Sequence, residues 1–389
     1  MNKKKPVIWS ILFLFTSAYL QAQEQPELNI GGAVRFNYNY STWKQEQARR
    51  GGDFGFDVFR LDVKAGYKGI DLDAEYRLYS NSFGGGMLKQ GALGYAFNNK
   101  DKLQIGLVPV PFGNSPINSN SFFFSLNYYL GLEDNYDMGA RFTHVGDKME
   151  YSLAFLKNAE ELDFGDNSDL SPSRYAYDVG SIDLHGDGNL SFRNKKVNQL
   201  NGKIDFKFGE NAVRHKIGVS AQFGGLYNLD TKNTGTHYAT AAHYNLEYRK
   251  LEMKAQYTRY AYNPKAPNSE SKDVVALAAY GGAYLVAAQA NTYTLGLSYK
   301  IPVSWKPISE LSVYNDYGYM HKPAAGFKSS QMNVTGVMVS AGKVVTYIDV
   351  AAGKNQPWLG PEWNNALAQG GEQQDKWHVR CNMNIGYYF

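Results

Sequence analysis

The chain ends on a thirteen-residue alternation that leaves few folds open to it. In Trp377–Phe389 (WHVRCNMNIGYYF), every second residue counted back from the end is Phe389, Tyr387, Ile385, Met383, Cys381, Val379 and Trp377. Between them lie Tyr388, Gly386, Asn384, Asn382, Arg380 and His378. An extended strand puts alternate side chains on opposite faces, so one face here is wholly apolar and the other mostly polar. At ~3.3 Å per residue and a tilt of roughly 40°, such a strand rises about 30 Å, enough for an apolar band with an aromatic at each rim. Trp377 at one end and Tyr387 with Phe389 at the other fit those rims, and the segment reads as the closing strand of a membrane-spanning β-barrel. The final Phe389 is then the expected signal to the barrel-insertion machinery.

The opposite end carries three lysines within Met1–Lys5, an apolar core over Val7–Leu20, and a cleavage site at Leu20-Gln21-Ala22. This predicts a secretory signal peptide over residues 1–22, with a core shorter than the ~20 apolar residues of a spanning helix. Without it, 37 basic residues face 36 acidic ones, a net charge of +1, so nothing points to nucleic acid. The 30 tyrosines and 39 glycines run the whole length without a Pro- or Ser-rich linker, so residues 23–389 read as one domain. Cys381 is the only cysteine, which excludes an internal disulfide.

The terminal alternation recurs. Leu28–Tyr40, Phe59–Tyr67 and Ile70–Leu78 each put apolar residues in every second place, the last two joined by a tight Lys68-Gly69 turn. A soluble β-sandwich would show the same pattern, and the connections argue against it. Short links are expected near Lys68-Gly69, Asn98–Asp101, Val145–Lys148, Gly209–Ala212, Arg249-Lys250 and Gly342-Lys343, with a longer one at Lys300–Ser309. Long polar ones are expected at about Ser41–Gly55, Ser80–Met87, Pro109–Tyr136, Asn158–Asn198, Gly224–Thr236, Ala261–Asn291, Met320–Ser330 and Gly353–Lys376. Short turns on one side and long loops on the other define an all-β transmembrane antiparallel barrel of sixteen strands, both termini at the short-turn, periplasmic end. The apolar run 274–288 is expected as an extracellular β-extension; as an extra membrane hairpin it would raise the count to eighteen.

A barrel this wide has a water-filled lumen unless something fills it. The alternation turns Arg35, Arg60, Lys64, Arg77, Arg141, Lys203, Lys207, Lys254 and Arg380 inward, together with Asp62, Asp71, Asp73, Glu75, Asp205 and Glu252. These residues either simply wet the wall or set a transverse field that filters solutes by charge. The connection at about 109–136 is the candidate constriction: it has no Lys or Arg, two acids (Glu133 and Asp134), and the apolar residues Phe122, Phe123, Phe124 and Leu126. So much apolar surface has two uses, packing on the inner wall with the carboxylates opposite the arginines, or latching onto a neighbouring subunit.

The leader, the opening strand Leu28–Tyr40, the run Gly106-Leu107-Val108-Pro109-Val110-Pro111-Phe112-Gly113 and the terminal Phe389 together resemble Gram-negative outer-membrane porins, most of all the phosphate-selective porin O/P family. The resemblance implies a homotrimer in outer-membrane lipid and lipopolysaccharide whose third loop folds inward. It also implies a lumen that passes small hydrophilic solutes or ions, with Arg and Lys lining the pore of anion-selective relatives. Here the wall mixes both charges and the third loop lacks a basic residue, so passive diffusion is implied more strongly than phosphate selectivity. The rival readings are a channel specific for an anion or an oligosaccharide, the latter using tyrosines as a stacking track, and a closed surface barrel with an adhesive role.

No enzyme signature is present. Gly218-Val219-Ser220-Ala221-Gln222 lacks the final glycine of a nucleophile elbow, and the seven histidines have no metal-ligand spacing, so neither cofactor nor metal is expected. The acidic stretch Glu160–Asp187 reads as a solvated loop, with Ca²⁺ binding as its alternative.

Overall fold

The computed structural model describes residues 27–160, 173–184, 190–210, 212–371 and 375–389. The leader at 1–22 and much of the acidic stretch 160–187 lie outside the described residues. The regular secondary structure of the described residues is almost entirely strand, and their one α-helix, Gln45–Arg49, is a single turn in a loop.

The first seven strands are β1 (Glu27–Ser41), β2 (Asp53–Tyr67), β3 (Ile70–Leu78), β4 (Gly86–Ala96), β5 (Asp101–Pro109), β6 (Tyr136–Val145) and β7 (Met149–Ala159). Two short strands follow, β8 (Asp178–Val179) and β9 (Ser181–Leu184), then β10 (Leu190–Phe208), β11 (Val213–Asn228), β12 (Thr234–Tyr248) and β13 (Leu251–Asn263). The remainder are β14 (Val274–Ala279), β15 (Gly282–Ala287), β16 (Gln289–Ile301), β17 (Glu310–His321), β18 (Ser330–Ala341), β19 (Val344–Lys354) and β20 (His378–Tyr388). All but β8, β9, β14 and β15 pair antiparallel with their neighbours around a closed sixteen-stranded barrel. The seam joins β1 to β20 from Ala33↔Tyr388 to Ser41↔Arg380. Gly32 and Phe389 exchange both backbone hydrogen bonds at 3.1 Å. Closure satisfies every strand edge, the condition for a sheet to cross lipid.

Neighbouring residues show which side is which. Phe223 is 56% exposed and Gln222 only 5%, so the apolar row faces outward and the polar row faces the lumen. The connection expected to be long at Gly224–Thr236 is short instead: β11 and β12 run on past the apolar band to Asn228 and Thr234, leaving residues 229–233 as the turn. A strand with one face wet on both sides has no compositional mark at the water line.

Residues 274–288 form no membrane hairpin, and they do not project outward. β14 and β15 pair with each other and with β8 in a separate three-stranded sheet. Its Ala276, Leu277 and Val286 are wholly buried. Leu285 and Ala287 donate backbone hydrogen bonds to Asn364 and Leu367 of the last long loop at 2.8 and 2.9 Å. The Tyr284 hydroxyl donates to the Tyr129 carbonyl at 2.7 Å. The hairpin folds back over the lumen because its apolar residues bury more surface against other loops than they would in water.

Gly139 in β6 tests how tightly adjacent strands approach at the bulge beside it. A Cβ there would stand 2.1 Å from the Phe155 carbonyl oxygen, backbone that cannot yield. Gly139→Val is expected to destabilise the barrel by about 1–3 kcal/mol, read as a lower thermal unfolding midpoint in detergent.

Candidate pore constriction and lumen wall

The connection between β5 and β6 folds into the barrel and is tied to the far wall strand by strand. Gly113 donates its backbone N–H to Ser220 Oγ on β11 at 2.9 Å, and Asn114 to Gln256 Oε1 on β13 at 2.8 Å. Asn118 Nδ2 donates to Thr294 Oγ1 on β16 at 2.7 Å. The backbone N–H groups of Asn120 and Ser121 both donate to Asp316 Oδ2 on β17, at 2.9 and 2.7 Å. Leu126 is fully buried against Gly318, where a Cβ would come within 2.9 Å of the leucine's own. The loop therefore covers the β11–β17 wall and leaves the lumen open along β1–β4, β19 and β20.

That open side is a cavity of about 560 Å³. Its cations are Arg35, Arg60, Arg77, Lys89 and Arg380. Four of them meet a carboxylate: Arg35 with Asp57 at 3.0 Å, Arg60 with Asp62 at 2.5 Å, Arg77 with Glu75 at 2.5 Å and Lys89 with Asp134 at 3.3 Å. Each of the five also lies over an aromatic ring: Arg35 on Phe122, Arg60 on Tyr388, Arg77 on Tyr175, Lys89 on Tyr175 and Tyr136, and Arg380 on Phe123, at 4.4–5.6 Å from the ring centroids. Ring faces attract cations electrostatically, so each charge is held flat against the wall or the loop.

The other inward residues stand away from this cavity. Lys203 donates to Ser115 Oγ of the loop at 2.8 Å and pairs with Asp205 at 3.3 Å. Arg141, beneath the loop, donates to Ser152 Oγ at 3.4 Å. Lys207 pairs with Glu150, Lys254 with Glu252, Lys102 with Asp71, and Lys64 with Asp73 at 3.9 Å.

Glu133 does not stand opposite the arginines. Its carboxylate is buried inside the loop and accepts from the N–H groups of Asn118 and Ser119 at 2.9 and 3.1 Å and from the hydroxyls of Ser119 and Ser125. It clasps the loop's two arms, while Asp134 faces the cavity and accepts from the Tyr136 and Tyr175 hydroxyls at 2.8 and 2.6 Å.

Two groups of lining residues fall outside the simple alternation. Asp57 and Lys89 each occupy the extra place of a β-bulge, between Val58 and Phe56 on β2 and between Gln90 and Leu88 on β4. Strict alternation from Phe59 or Leu93 would turn both toward lipid; the extra residue turns them inward. Tyr128, Tyr129, Tyr175, Tyr177, Tyr280 and Trp358 also line the cavity, and all come from loops. Strand tyrosines such as Tyr67, Tyr95 and Tyr299 do face outward. The apolar, turn-centred character of 274–288 was the one sequence signal that could have brought Tyr280 to attention.

The fold is a closed sixteen-stranded antiparallel β-barrel with a lumen narrowed by its own loops. No family model matches the chain, and no curated protein matches it in sequence. Its likeness is to solved structures. The outer-membrane channel DcaP of Acinetobacter baumannii superposes with a TM-score of 0.58 at 11% identity, over 96% of this chain and 100% of that one. OmpT of Vibrio cholerae gives 0.56 at 11% identity, over 95% and 100%. An anion-selective porin from Comamonas acidovorans gives 0.53 at 12% identity, over 94% and 100%. At such identities the likeness shows the fold.

Burial holds the Glu133 carboxyl up at about 7, against the pull of its four hydrogen-bond donors. Its pKa is higher in the docked loop than in a released one, where it takes its ordinary 4.5. Docking thus has this contribution in full below the ordinary value and loses it as pH rises through about 7. Corrected for intrinsic rates, hydrogen exchange at the Asn118 and Ser119 amides is expected to be faster at about pH 8 than at about pH 5, and Glu133→Gln to remove the difference.

Proposed function

We propose that the chain is an outer-membrane channel for passive diffusion of small hydrophilic solutes or ions, narrowed by the loop at 110–135 and weakly selective for anions. The observation that carries this reading is the charge census of the cavity. Four of its five cations face carboxylates, and Arg380, which meets no carboxylate among the described residues, donates to the neutral Asn39 amide oxygen at 3.0 Å from its Nε. Paired charges wet a wall and orient solutes while their fields largely cancel beyond the pair. One unpaired guanidinium leaves a small net preference for anions. Selection of phosphate is disfavoured on the same ground, because a dianion calls for more than one free cation and the loop offers none. In this reading the apolar outward band meets outer-membrane lipid and lipopolysaccharide.

Planar-bilayer recording tests the reading directly: purified protein that never gives discrete conductance steps would remove it. The reversal potential in a salt gradient is expected to show a modest anion preference. Asp57→Asn, which unmasks Arg35, is expected to strengthen that preference, and deletion of Ser121–Leu126 to raise conductance.

A further inference from the structure

The cavity exposes more ring surface than a passage for small inorganic ions needs. Phe83 is 44% exposed and stacks on the partly exposed Trp358 with centroids 6.0 Å apart. Phe122 and Phe124 of the constriction loop are partly exposed beside the same space. Apolar surface held open to water has a cost that is recovered only when something apolar covers it.

Arg380 lines the same cavity as these rings. Its Nε and one Nη both donate to Asn39 Oδ1, its face lies 5.4 Å from the Phe123 centroid, and among the described residues it meets no carboxylate. The guanidinium thus keeps donors for one more acceptor in a cavity of about 560 Å³, within the ~300–1,000 Å³ common for small-molecule sites.

We propose that this cavity holds a binding station for an aromatic monocarboxylate, its carboxylate on the free edge of Arg380 and its ring against Phe122 and Phe124. The proposal rests on the channel reading and names the class of solute that the constriction favours. A chloride ion satisfies only the guanidinium and a neutral sugar only the rings. A phosphate finds the other four cations already engaged. A carboxylate on a flat ring satisfies both features at once, and the single free charge selects a monoanion.

Isothermal titration of the folded, detergent-solubilised protein with sodium benzoate and with sodium acetate is the test, since the two differ only in the ring. Benzoate is expected to bind at least about tenfold more tightly than acetate. Arg380→Gln is expected to weaken benzoate about tenfold or more, and Arg380→Lys to retain part of the affinity. Phe122→Ala is expected to weaken benzoate while leaving acetate unchanged. Heat-dependent gel mobility verifies that each variant is a closed barrel, so a lost signal is not lost folding. Equal affinity for the two anions, or benzoate binding indifferent to Arg380→Gln, overturns the proposal. Bilayer recording of the same samples separates the two readings. Conductance without discrimination refutes the station and keeps the channel, whereas binding without conductance keeps the station and refutes the channel.

Discussion

Everything in this molecule depends on the backbone pairing of its first and last strands. In hydrocarbon an unpaired N–H or C=O has no water to turn to, so a sheet can cross only when it has no edge. The β1–β20 register supplies that closure, and the reciprocal bonds between Gly32 and Phe389 extend it. Once closed, the wall needs no apolar core of its own. Its interior is free to carry charge, and the buried apolar surface is displaced into the loops that fold within it.

Those loops form a second, smaller structure inside the first. The constriction loop contributes Tyr128 and Tyr129, the hairpin of β14 and β15 contributes Tyr280 and Tyr284, and the last long loop contributes Trp358. The Tyr128 and Tyr280 hydroxyls lie 2.5 Å apart, and the Trp358 indole donates to the Tyr177 hydroxyl at 2.6 Å. Aromatics with a polar tip suit this position, since their rings pack while their hydroxyls satisfy one another away from water. The lumen is thus narrowed by a cluster of several loops that share one set of contacts.

The wall was legible in the sequence and its furnishings only in part. Alternation is a local property, so the strand from Trp377 to Phe389 and its like could be read directly, and with them Arg35, Arg60, Arg77 and Arg380. Asp57 and Lys89 could not, because a bulge depends on the partner strand having one residue fewer, and no single strand records that. Glu133 and Asp134 are adjacent and alike in type, yet one clasps the loop and the other faces the cavity; the difference lies in how the loop closes on itself. The loop aromatics were hidden for a similar reason, since a tyrosine outside a periodic segment has no face until the loop is placed.

The two bulges have an evolutionary consequence. In an unbroken strand, losing one residue exchanges the two faces beyond it and puts charge into lipid. At a bulge the surplus residue is already outside the pairing, so losing Asp57 or Lys89 would restore a regular ladder and leave the flanking residues on their own sides. One deletion would remove a carboxylate from the passage and another an ammonium, with the lipid-facing coat intact. The charge of this lumen can therefore drift by single-codon loss as well as by substitution, and these two sites are where related chains should differ in length by one.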